Sequence, residues 1–128
     1  REELARPAGT ITNPYTVSAL SRHVAARAVT DAAFLTALRD RTAAIKRELL
    51  RPWKRIAVAC TEPTVSISLL THADPAVDLA REFAKRRVLV ISGSDFSGIV
   101  KNSVRFRVPP AGDMAGVLDV IADIDARV

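Results

Sequence analysis

Proline placement constrains this chain more than any other feature. Six of its seven prolines fall at the borders of the stretches that carry a hydrophobic period, and Pro7 lies ahead of the first of them. Proline has no amide hydrogen, and its ring clashes with the preceding helical turn, so no helix interior or central strand can run through one. The chain must therefore fold as short elements separated by breaks.

The period differs from one stretch to the next. Residues 1–13, with Pro7 and Gly9, read as an irregular lead-in segment. Asn13-Pro14 opens a helix, with the asparagine as cap and the proline in the first turn. Val17, Leu20, Val24 and Ala28 form its apolar stripe. Thr30 or Asp31 is a fresh cap, and a longer helix runs to about Leu50, where Pro52 stops it. Phe34, Leu35, Leu38, Thr42, Ile45 and Leu49 share one face of it, while Lys46 and Arg47 fall off that face.

Past Pro52 the pattern turns to strands. Ile56 to Cys60 is a short strand, and Val65, Ile67 and Leu69 alternate with Ser66 and Ser68 as a half-buried one. Asp74-Pro75 repeats the cap-then-proline helix start, with Val77, Leu79, Ala80 and Phe83 as its apolar side. Val88 to Ile91 is a continuous apolar run, expected to be a strand buried on both faces. A polar loop from Ser92 to Asn102 leads to a strand over Ser103–Val108. There Val104, Phe106 and Val108 face one way, and Arg105 and Arg107 the other. After Pro109-Pro110 a final helix from about Asp113 buries Val117, Ile121 and Ile124. The expected order is α-α-β-β-α-β-β-α. This is an α/β chain of the α+β kind, a small mixed or mainly antiparallel sheet covered by helices, with residues 14–128 as one domain.

Composition narrows the function classes. At 128 residues, 48% apolar and 26% charged, the chain can bury a core. No apolar run approaches the ~20 residues of a bilayer span, and no apolar segment follows Arg1-Glu2-Glu3-Leu4 as in a secretory signal. Cys60 is the single cysteine, which excludes an internal disulfide and a cysteine-based zinc site and suits a buried residue in a cytoplasmic protein. The net charge of +5 comes from scattered cations, many at helix ends where they complement the dipole. Aromatic residues are 5%, with none interleaved among the cations, which argues against nucleic-acid binding.

Catalytic motifs are absent. The chain has no phosphate-binding glycine-lysine loop, no dinucleotide fingerprint, no zinc-protease helix and no nucleophile elbow. His23, beside the first helix's stripe, reads as a packing histidine. His72 reads as an exposed residue of a turn, and no histidine neighbours Ser92, Ser94 or Ser97. Arg105 stands out instead, since a guanidinium on a strand between apolar neighbours can grip a carboxylate with two parallel hydrogen bonds. From spacing alone, the plainer description of an arginine on the solvent face of a half-buried strand is favoured.

A resemblance shifts that balance. Val88-Leu89-Val90-Ile91-Ser92-Gly93-Ser94-Asp95-Phe96-Ser97-Gly98, followed by Ser103-Val104-Arg105-Phe106-Arg107-Val108, resembles the closing segment of class I/II aminotransferases. Asn13-Pro14-Tyr15-Thr16-Val17-Ser18 is similar to the opening of the small domain in histidinol-phosphate aminotransferase-like enzymes. The chain departs from the pattern at Ser92, where the family has proline, at Arg107, where it has a small residue, and at Pro109-Pro110.

The resemblance implies the C-terminal small domain of a fold-type-I enzyme that uses pyridoxal phosphate. Arg105 matches the arginine that holds the substrate's α-carboxylate, and Tyr15, Gly93 and Phe96 are candidate cleft-lining residues. Fixing the carboxylate orients the Cα–H bond for reaction. The lysine that carries the cofactor belongs to a large domain. Lys46, Lys54, Lys85 and Lys101 do not sit in its usual context, so the chain is expected to be inactive alone. Expected partners are that large domain, an amino-acid substrate and a second copy in a homodimer. Two alternatives within the resemblance are an effector-sensing domain of a transcription regulator and a decarboxylase or cyclase on the same fold. A stand-alone interaction protein is a third.

Overall fold

The computed structural model describes residues 17–59 and 62–127. The chain divides into two compact units, Arg1–Thr36 and Ala37–Val128, which are described separately. The expected helix start at Asn13-Pro14, the cleft residue Tyr15 and Cys60 lie outside the described residues.

In the first unit, helix α1 spans Ala19–Thr30, and its cap is Ser18, whose hydroxyl accepts the Ser21 amide at 3.1 Å. Helix α2, Ala32–Leu49, starts as expected at Asp31, whose carboxylate accepts the Phe34 amide at 2.9 Å. The stripe on α1 is helical in spacing but is not core. No residue of α1 is buried, and Leu20 is 74% exposed. His23 is likewise exposed, not packed.

The second unit holds a four-stranded antiparallel sheet, ordered β1-β2-β4-β3, from Ile56–Val58 (β1), Ile67–His72 (β2), Ile91–Ser92 (β3) and Ser103–Arg107 (β4). Helix α3 is Leu79–Lys85 and helix α4 is Ala111–Arg127. The element order matches the expected one. The core joins one sheet face (Ile56, Leu70, Val104, Phe106) to Ile45 and Leu49 of α2, Leu79 and Phe83 of α3, and four residues of α4 (Met114, Leu118, Ile121, Ile124). Burying side chains of this size stabilises by about 1.5–3 kcal/mol each.

Several expectations are corrected. Lys46 is 1% exposed, because its ammonium donates to the carbonyls of Glu62 (2.9 Å), Val65 (3.1 Å) and Ile67 (3.2 Å). It supplies acceptor-rich backbone with a buried donor, which hydrophobic spacing cannot reveal. On β2 the parity is reversed. Ser68, Leu70 and His72 are buried, while Ile67 and Leu69 are half-buried and Val65 is exposed. The pairing Leu70↔Val104 puts Leu70, not Leu69, on the helix-covered side. His72 is not an exposed turn residue. It ends β2 at 1% exposure, its Nδ1 accepts the Asp74 amide, and Asn102 Nδ2 donates to its carbonyl at 2.8 Å.

The run Val88–Ile91 is not a fully buried strand either. Only Ile91-Ser92 pair with β4, at the sheet edge, and Leu89 is 91% exposed. Helix α3 starts later than Asp74-Pro75 suggests, because Asp78 caps it through the Arg81 amide at 3.0 Å. It ends in a Schellman turn. Val88 donates to the Phe83 carbonyl and Arg87 to that of Ala84, with Arg87 at φ 63°.

Candidate functional site

β4 sets the site. Alternation along a strand sends successive side chains to opposite faces. Val104 and Phe106 enter the core, while Ser103, Arg105 and Arg107 take the other face, as the sequence predicts. Register then fixes the company these residues keep. Arg105 lies opposite Leu69 on β2 and Ile91 on β3, and Arg107 lies opposite Ile67. None of these cross-strand partners carries a charge.

Both arginines line a groove of about 470 Å³, in the size range of small-ligand sites. Its remaining wall comes from Val88 to Ile91, Phe106, Pro109 and Val117, so the groove also reaches residues of the core side. Arg105 is half-buried and Arg107 exposed. Among the described residues neither makes an ion pair or a side-chain hydrogen bond. Arg86 shows the contrast. Its guanidinium meets Asp123 at 2.7 Å and Glu82 at 3.0 Å, and these two carboxylates, chiefly Asp123, outweigh desolvation and hold its pKa above the ordinary value. An arginine with no acid within reach keeps all its donors for a ligand.

The turn after β3 is tightly built. Gly93 is buried at the start of a 3₁₀ turn, Gly93–Asp95, and Ser92 caps that turn by accepting the Ser94 amide at 3.3 Å. A Cβ on Gly93 would stand 2.7 Å from Ile99 and 2.8 Å from the Ser103 carbonyl. The glycine thus lets the loop pack against the start of β4. Phe96 is 37% exposed at the end of this turn. Neither Gly93 nor Phe96 lines the groove. Arg107 does, and the V-R-F-R-V alternation already placed it on Arg105's face. Its place in the groove lining was missed because a second arginine on an outward face looks like ordinary solvent-facing charge.

No lysine lines the groove. The Lys46 ammonium is committed to backbone carbonyls, Lys85 pairs with Glu82, and Lys54 and Lys101 are exposed elsewhere. The described residues therefore offer no amine beside Arg105 to which pyridoxal phosphate could be joined, and on their own they do not fit that cofactor. No cluster of His, Cys, Asp or Glu among them could hold a metal ion. Nor is any helix among them long and apolar enough to cross a membrane. A second hollow, about 460 Å³, lies in the first unit between α1 and α2 and is lined by Val24, Arg27 and Phe34. It has no buried polar group aimed into it.

No protein-family model matches the chain, and no curated protein matches it. Among solved structures it is similar to the histidinol-phosphate aminotransferase from Clostridium acetobutylicum, with a TM-score of 0.56 and 14% identity. The match covers 100% of this chain and 39% of that one, so the chain spans well under half of that protein's length. At this identity the likeness is one of fold: the chain folds as part of an aminotransferase does.

Proposed function

We propose that this chain is the substrate-carboxylate-binding small domain of an amino-acid aminotransferase that uses pyridoxal phosphate. One observation carries the reading. Among the described residues Arg105 has no acidic partner; it stands on the sheet face away from the core, half-buried among Leu69 and Ile91, and lines a ligand-sized groove. An apolar surround strengthens a charge-assisted hydrogen bond, and a planar guanidinium fixes a carboxylate in orientation as well as position. The fold-level likeness supports the same reading. The cofactor and its lysine would come from polypeptide beyond this chain, which closes the other side of the cleft. This chain's share of the work is to bind and orient the substrate.

The test is Arg105→Ala in the whole protein, with the amino-acid substrate titrated at steady state. A charged hydrogen-bonded contact is worth about 1.5–3 kcal/mol, so KM rises by roughly 10- to 150-fold. Arg105→Lys, which keeps the charge and loses the fork, recovers part of the affinity. An unchanged KM in Arg105→Ala rejects the assignment.

A further inference from the structure

The sheet has two edges, and the fold treats them differently. The order β1-β2-β4-β3 leaves β1 and β3 outermost. Hydrogen bonds to β2 fall at Arg55 and Ala59, so the amide of Ile56 between them points outward. Asp125 of α4 accepts that amide at 3.0 Å and covers the edge at its start. The other edge is open. Asn102 and Val108 bond to β2, so by alternation Arg105 turns its backbone groups toward β3, opposite Ile91. Ser92, the next residue of β3, therefore points its amide at the free edge, and so does Val90 on the other side of Ile91. Among the described residues neither amide has an acceptor. The run Val88–Ser94 has no charge or proline to protect it, and Leu89 and Ile91 are 91% and 42% exposed.

We propose that β3 pairs through this edge with β3 of a second copy of the chain, antiparallel about a two-fold axis at Ile91, so that two sheets join into one. Backbone groups and charge select this occupant. Arg87 stands four residues before Ile91 and Asp95 four residues after it. Both are exposed, and neither makes an ion pair among the described residues. An axis at Ile91 sets Val90 opposite Ser92 of the second copy, where the outward amides meet carbonyls. It sets Ile91 beside Ile91 in the close position without hydrogen bonds, where side chains pack. It also brings the basic start of each strand, at Arg87, beside the acidic end of the other, at Asp95. A parallel pairing would set Arg87 beside Arg87. The contact is self-complementary and closes on itself, because pairing uses up the open edge of both copies. Two short strands bury less than a permanent dimer needs, so the association is weak and depends on concentration. It lies on the side of β3 away from β4 and does not rest on the role of Arg105.

The experiment follows the 128-residue chain by sedimentation equilibrium over about a hundredfold range of concentration, with amide exchange measured at both ends of the range. Expected is a mean mass that rises from one chain toward two. Exchange at Val90 and Ser92 should slow by about fivefold or more at the high end, with a smaller change at Ile91, which already faces β4. Leu89→Lys, at a fully solvated position, should abolish the rise in mass, and thermal melting at low concentration checks that the fold survives. Arg87→Asp and Asp95→Arg should each weaken association about threefold, and the two together should restore it. The single changes move the net charge in opposite directions, so a loss in both is not a net-charge effect. A chain that stays monomeric throughout overturns the proposal, and that is also the outcome if the edge serves a foreign extended segment. A dimer that survives Leu89→Lys, or that leaves Val90 and Ser92 unprotected, forms elsewhere and overturns it too. A double charge exchange no better than the single changes rejects pairing about Ile91.

Discussion

Asp125, near the end of the last helix, holds the residue just before the first strand: its Oδ1 accepts the Arg55 amide at 2.6 Å. The same carboxylate takes the amides of Lys54 at 2.9 Å and Ile56 at 3.0 Å. Burial pushes its pKa up. The three backbone donors and the nearby Lys54 charge outweigh burial and hold it below the usual carboxylate range.

The sign of the pH effect follows. A carboxyl with a depressed folded pKa stabilises the fold fully above its unfolded value, about 3.9, and loses that contribution as pH falls through the folded value. Asp125→Asn is expected to cost about 1.5–3 kcal/mol at neutral pH and to flatten the stability profile below about pH 4. Urea unfolding at stepped pH measures both. An unaltered acid limb would show that some other group governs it.

Lys46 makes a second prediction. Replacing it with methionine keeps the stem and strips three carbonyls of their shared donor. The expected loss is about 1–3 kcal/mol, with faster amide exchange in β2. A neutral outcome in denaturant melts would mean that water takes over the carbonyls.

Two glycines should respond in opposite directions. Gly93→Ala forces a methyl against Ile99 and the Ser103 carbonyl and should destabilise by about 1–3 kcal/mol, shifting the β4 resonances. Gly116→Ala, exposed inside α4 with nothing near its added Cβ, should stabilise by about 0.8–1 kcal/mol. Thermal denaturation of the pair decides; two changes of the same sign would contradict the packing described.

Arg87 occupies the left-handed position that ends α3, at φ 63°. Glycine suffers no Cβ clash there, so Arg87→Gly should raise stability by about 1 kcal/mol. A drop would mean that the arginine side chain makes up for its backbone strain.

Much of this fold is legible in the sequence because its punctuation is strong. Asp31, Pro52 and Pro109-Pro110 bound elements where expected, and the V-R-F-R-V alternation sets both faces of β4. Parity on β2 is not legible, because Leu69 and Leu70 are adjacent and only pairing with β4 decides which is covered. Burial of Lys46 and His72 also escapes reading, since each depends on backbone groups supplied by distant or irregular segments. Arg105 could be singled out from the sequence. The company of Arg107 was already in the alternation, whereas the lack of an acidic partner among the described residues needed the strand register and the side-chain contacts.

The clasp at Asp125 also joins residues made far apart in time during synthesis. The acceptor for the amides ahead of β1 is made 70 residues after Arg55. Until the last helix has been translated, the amides at that margin of the sheet have only water to receive them.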